Sequence, residues 1–194
     1  MPVRLFLLVI LSLSLSLEGF CRKKRKSQLV SAVENIITAP PQDGEVCFSP
    51  DEHCDIKLTK FIESAHTSLD IAIYDINLEQ LVHQIILQSK KMPVRVLVDK
   101  RQTKERNSLV DLLVKAEVPV RFGHQRGIMH NKFAVVDGKM IETGSFNFTN
   151  HATEANSENQ IYLSTPAIVG RYQDRFNKIW NDGKPASLKV LASQ

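Results

Sequence analysis

Cysteine is scarce in this chain, and no cysteine–histidine spacing in it matches a standard metal site. The three cysteines are Cys21, Cys47 and Cys54. A zinc set would have to recruit His53 and His66 beside Cys47 and Cys54, a spacing that fits no structural zinc motif. Cys47 and Cys54 either pair as a local disulfide in an exported protein or stand as two ordinary small residues. Long apolar runs are also missing. The longest, residues 5–17 (LFLLVILSLSLSL), suits the core of a secretory signal and is short for a membrane span. There is no internal repeat. An excess of one charge is missing from the body as well. The net charge of +4 resides in residues 1–26, which hold six basic residues and one acid. The remaining residues carry 19 basic and 20 acidic groups, so attraction for a polyanion must come from a local patch.

What is present is a globular balance. Hydrophobic residues make up 43% and charged residues 24% of 194, which excludes wholesale disorder and supports one domain with a sizeable core. Residues 1–26 read as a signal peptide or N-terminal membrane anchor closed by the basic cluster CRKKRK. Positive charge after the apolar run favours keeping that side cytoplasmic. Residues 27–43 read as a linker, 44–183 as the domain and 184–194 as a tail.

Within the domain, apolar spacing alternates between periods of two and 3.6. Strands are expected over 45–48, 68–74, 94–98, 118–122, 132–136, 140–143 and 159–163. Helices are expected from the box Ser49-Pro50-Asp51-Glu52 to about Ala65, from Asn77 as cap to Ser89, over 105–116, and from Thr165-Pro166 onward. The last carries Ile168, Tyr172, Phe176, Ile179 and Trp180 on one face. Asp137-Gly138 marks a tight hairpin. Helices separating early strands, followed by a hairpin, predict an α/β domain with a mixed sheet sandwiched between helices.

Three polar runs carry chemistry. His130 and Lys132 are two apart at the mouth of a strand, so their side chains share a face while Asn131 and Phe133 point away. A nucleophilic imidazole beside a fixed cation is what phosphoryl transfer needs. Ser145 and Asn147 alternate with Phe146 and Phe148 after Gly144, and can complete a phosphate cradle. Glu158, in Asn156-Ser157-Glu158-Asn159, can bond the far nitrogen of His130. Lys100, Arg101, Lys104 and Arg106 form a basic loop, either simply solvated or a rim that guides a phosphodiester backbone. His53, His66, His83, His124 and His151 read as ordinary polar residues.

His130-x-Lys132 with Asp137, then Gly144-Ser145-x-Asn147, then Asn156-x-Glu158-Asn159, resembles the phospholipase D superfamily signature. The wider text ETGSFNFTN and NSEN looks like the small bacterial single-motif endonucleases of that superfamily. Phe48-Ser49-Pro50 and Arg175-x-x-x-x-Trp180 also fit, so the resemblance spans roughly residues 45–182. It implies a metal-independent phosphodiesterase with no cofactor, with His130 as nucleophile, Lys132, Ser145 and Asn147 on the phosphate, and Glu158 orienting His130. Asp137 names the motif but sits at the hairpin turn and reads as structural. Members use two motifs per site, so one motif per chain implies a homodimer with a shared site. The implied substrate is DNA or RNA, or alternatively phospholipid head groups, with export or membrane anchoring through the N-terminus. A eukaryotic branch, the Zucchini-like mitochondrial enzymes, has the same layout but carries a zinc-binding insertion after the first strand. Here that region is only CFSPDEHC, which counts against that branch.

Overall fold

The computed structural model describes residues 39–123 and 127–192. The expected leader, Cys21, residues 27–38 of the expected linker, and His124 lie outside them. Eight strands form one sheet: β1 (Val46–Ser49), β2 (Leu69–Ile73), β3 (Val94–Val98), β4 (Val120–Phe122), β5 (Lys132–Val136), β6 (Met140–Gly144), β7 (Glu158–Leu163) and β8 (Lys184–Pro185). Their order is β1-β7-β6-β5-β2-β3-β4-β8. β2, β3 and β4 are parallel, joined by helical crossovers, and every other pairing is antiparallel. The sheet is mixed and lies between helical layers, as the sequence pattern predicts.

One core forms where α1 (Cys54–Glu63) and α2 (Glu79–Ser89) cover the sheet. Leu58, Phe61, Leu81 and Ile85 meet Leu69, Ile71, Ala134 and Phe146 there. The other face is covered by α5 (Pro166–Asp182), whose Val169, Phe176 and Ile179 meet Ala72, Leu97, Phe133 and Ile141. The described residues also form three shorter helices: α3 (Val110–Lys115), α4 (Asn150–Glu154) and α6 (Leu188–Ala192). Burial on both faces explains why β2 is buried at all five positions instead of alternating. Its one charged residue, Asp70, is paired with Arg95 at 2.6 Å and accepts from Gln173 of α5. Arg95 in turn lies over the rings of Phe176 and Trp180, so the ion pair docks α5 on the sheet centre.

Several boundaries differ from the sequence expectation. α1 begins at Cys54, and Ser49 ends β1 instead of capping the helix, because its buried hydroxyl donates to Ala152 O at 2.6 Å. The peptide bond from Ser49 to Pro50 is cis. Asn77 does not cap α2 either. Its Oδ1 accepts from Asn150 N at 3.0 Å, and Leu78 occupies the cap. The helix expected over 105–116 is only α3: residues 105–109 form a bend and a turn, and the Leu109 N–H donates to Ile76 O at 3.1 Å instead of entering a helix. On α5 the apolar stripe is rotated: Val169 is buried and Ile168 is exposed. Residues 184–192 are not a tail, since β8 pairs with β4 and α6 packs beside α3. Residues 40–43 pack on the domain, with Pro41 buried and Asp43 accepting from Ser164 N at 2.6 Å. Cys47 and Cys54 are disulfide-bonded, which commits both sulfurs and decides between the readings left open above. Among the described residues no helix is long and apolar enough to cross a membrane.

Candidate active site

Strand directions gather the polar residues at one end of the sheet. Ile73, the last residue of β2, pairs with both Val98 at the end of β3 and Lys132 at the start of β5. Gly144, at the end of β6, lies level with Gln160 near the start of β7. This end therefore collects Tyr74 and Asp75, Asp99 and the basic loop, His130 and Lys132, Ser145 and Asn147, and Glu158. The carboxyl ends of parallel strands are where open α/β sheets place ligand sites.

His130 is exposed and Lys132 is almost buried at 8% exposure. Lys132 Nζ donates to His130 O at 3.1 Å and lies 5.0 Å over the Tyr74 ring. The same ring meets the His130 imidazole edge-on at 4.5 Å. Phe133 points into the opposite core, so the period-two expectation for the pair holds. One of the three ammonium donors is used internally, which leaves donors for phosphate oxygens.

Burial pushes the Lys132 ammonium below the ordinary lysine range, while the charges of Glu158 and Asp75 pull it back up. Burial also pushes the Asp75 carboxyl up, against a hydrogen bond from the Ile76 N–H and the attraction of Lys132, with Glu105 adding to the rise. Asp75 Oδ1 is buried without a hydrogen-bond partner among the described residues. Removing the Asp75 charge takes away one group that keeps Lys132 protonated. Asp75→Asn should therefore move the alkaline limb of the kcat/KM profile to lower pH. A limb that stays put or moves up would show that Asp75 does not act on Lys132.

Gly144 permits a close backbone approach between β6 and β7. A Cβ there would sit 2.0 Å from Asn159 O. Ser145 uses this proximity: its N–H donates to Asn159 O, and its Oγ accepts from Asn159 N at 3.0 Å. Phe146 and Phe148 are fully buried, with Ser145 exposed and Asn147 half-buried between them. Asn147 Oδ1 is buried with no partner among the described residues. Glu158 accepts from Asn156 Nδ2 at 2.9 Å and acts electrostatically on Lys132. No hydrogen bond between Glu158 and His130 is present among the described residues within one chain.

Asp137 is at the far end of β5 and plays no part here. With Gly138 it forms the positive-φ hairpin turn, at φ 56° and 62°. Its Oδ1 accepts from Thr67 N at 2.7 Å, Ser68 N at 3.0 Å and His66 N at 3.0 Å, fastening the approach to β2. Burial pushes this carboxyl up, but those donors and the Thr67 hydroxyl outweigh it and hold it below the ordinary range.

Three residues escaped the sequence reading: Asp75, described above, Asp99 and Tyr74. Asp99 is buried at 3% exposure; its Oδ1 accepts from Arg101 N and its Oδ2 from Met129 N at 2.7 Å. It thus joins the basic loop to the segment that carries His130. Tyr74 lies under both His130 and Lys132. The one available signal was position, a polar residue at the carboxyl end of a parallel strand.

An exposed imidazole with a buried ammonium beside it, and hydroxyl and amide groups at the same strand ends, is an arrangement with the chemistry to attack and hold a phosphodiester. Comparisons with known proteins agree. A family model described as cardiolipin synthase, PLD-like domain, matches residues 58–180. A mitochondrial cardiolipin hydrolase of Xenopus tropicalis is 32% identical over 187 residues, covering 91% of this chain and 87% of that protein. One from Chlamydomonas reinhardtii is 33% identical over 133 residues, covering 66% of this chain, which spans only 60% of that relative's length. The crystal structure of Nuc, a phospholipase D family member from Salmonella typhimurium, superposes with a TM-score of 0.69 at 26% identity, covering 74% of this chain and 97% of Nuc. The chain belongs to the phospholipase D superfamily of phosphodiesterases. The mitochondrial relatives stand closer to it than the short CFSPDEHC segment suggested.

Proposed function

We propose that the chain hydrolyses phosphodiesters through a covalent phosphohistidine on His130, with nucleic acid as its substrate. The observation that supports this most is the His130–Lys132 pair gathered on Tyr74 at the carboxyl ends of β2 and β3. A ring nitrogen of His130 attacks phosphorus, and an N–P bond forms as the bond to the leaving oxygen breaks. Lys132, with Ser145 and Asn147, holds the non-bridging oxygens as their charge grows. The leaving oxygen takes its proton from a second imidazolium. That imidazole then takes a proton from water, and the hydroxide displaces the histidine to release a phosphomonoester. One chain supplies one such histidine, so the second would come from the partner's His130 in a homodimer. Glu158, not bonded to His130 within one chain, would orient a histidine in that assembled site. Lys132 supplies the charge that a metal would otherwise supply.

The basic loop favours a polyanionic strand. Lys100, Arg101, Lys104 and Arg106 are all exposed beside the site. A second reading, cleavage of phospholipid head groups, is favoured by relatives named cardiolipin hydrolase and by the apolar run of residues 5–17. That run would export the protein or tether it to a membrane.

A side-by-side assay of the purified protein on single-stranded DNA, duplex DNA, RNA and cardiolipin-containing vesicles decides between them. Nucleic acid should be cut, turnover should survive EDTA, and sedimentation should give a dimer. Cleavage of vesicles alone supports the second reading, and loss of activity in EDTA would contradict the role given to Lys132.

A further inference from the structure

We infer that Tyr74 is a positioning residue that couples the basic loop to the nucleophile. The inference rests on the proposed phosphodiesterase chemistry. Tyr74 is half-buried directly after β2, and its neighbours are unusual for a core ring. The described aromatic and cationic contacts of its ring are to the two groups assigned to phosphoryl transfer. The His130 imidazole meets it edge-on at 4.5 Å and 62°, and Lys132 Nζ lies 5.0 Å from its centroid. Its hydroxyl accepts from Gln102 Nε2 at 2.8 Å, and Gln102 belongs to the 3₁₀ turn inside the basic loop. Asp99 fixes the backbone of the same loop through Arg101 N and Gln102 N. The loop thus has two ties to the site, one through backbone to Met129 and one through side chain to Tyr74.

The two halves of Tyr74 have separable consequences. An edge-on ring restricts the rotation of an otherwise exposed imidazole, and its negative face favours the ammonium of Lys132. Both effects fix the reacting groups before substrate arrives, so losing the ring should lower kcat. The hydroxyl link holds the loop that would grip flanking phosphates. Losing it should loosen binding of a long substrate and raise KM.

The test uses the full-length protein, with a single-stranded oligodeoxynucleotide and bis(p-nitrophenyl) phosphate as probes. Tyr74→Leu should lower kcat on both probes by about tenfold or more, the scale on which misplaced reacting groups lose rate. Tyr74→Phe, which restores the ring, should recover most of that loss. Tyr74→Phe and Gln102→Leu should each raise KM several-fold, and more on the oligonucleotide than on the small diester. The double variant should fall no further than either single one, because both remove the same bond. Thermal melting corrects each rate for the folded fraction. Equal kcat for Tyr74→Leu and Tyr74→Phe, or additive KM effects, would overturn the coupling. A wild-type protein inactive on both probes would instead overturn the phosphodiesterase reading, and the coupling with it.

Discussion

Replacing His130 with Asn should abolish turnover on every phosphodiester while leaving the protein folded. The loss should be at least about 10⁴-fold, because the nucleophile and the proton donor of the assembled site are both His130. Stability should hardly change. The side chain is exposed, and its described ring contact is the edge-on approach to Tyr74. Lys132 remains in place in this variant, since its internal hydrogen bond goes to the backbone oxygen of residue 130. Substrate binding should therefore survive and can be measured directly. A variant that keeps a substantial fraction of wild-type rate in a clean preparation would remove His130 from the mechanism.

The second large effect concerns stability, at Glu142 in the middle of β6. Its carboxyl is completely buried, and neither oxygen has a hydrogen-bond partner among the described residues. Burial pushes it up to about 8, from an ordinary value of 4.5. The group is thus neutral at pH 7 in the folded protein and ionised in the unfolded chain. Between these values unfolding releases a proton, so stability falls as pH rises, by up to about 1.4 kcal/mol per unit. Below 4.5 and above 8 the two states bind the proton alike and the slope vanishes. Glu142→Gln keeps the shape of the neutral acid and removes the titration. In urea denaturation, the stability of the variant relative to wild type should rise steadily from pH 5 to pH 8.5, with an upper bound of about 5 kcal/mol. Parallel pH profiles for the two proteins would contradict a buried, neutral Glu142. The neighbouring Tyr162 phenol is raised in turn, by burial first and then by Glu142.

How much the sequence reveals depends on how local each cause is. The β5–β6 hairpin follows from Asp137-Gly138, two adjacent residues that take positive φ. The His130–Lys132 pair follows from strand period alone. Ser49 and Asn77 were misread because their capping groups are taken by Ala152 O, 103 residues away in the chain, and by Asn150 N, 73 residues away. A local motif cannot announce a distant competitor. The helix before Ala116 was drawn too long because the Leu109 N–H is taken by Ile76 O, which lies outside that segment. β8 is two residues long and contains Pro185, so it carries no strand signal at all. Tyr74 read as the end of a strand, and only the packed sheet brings it under His130.

The central claim is a double displacement through His130, and the configuration at phosphorus tests it most directly. A phosphodiester made chiral at phosphorus with sulfur and oxygen isotopes is hydrolysed, and the configuration of the product is read. Two in-line displacements, first by the histidine and then by water, predict net retention. Net inversion would mean that water attacks the diester in a single step, and would contradict the phosphohistidine account.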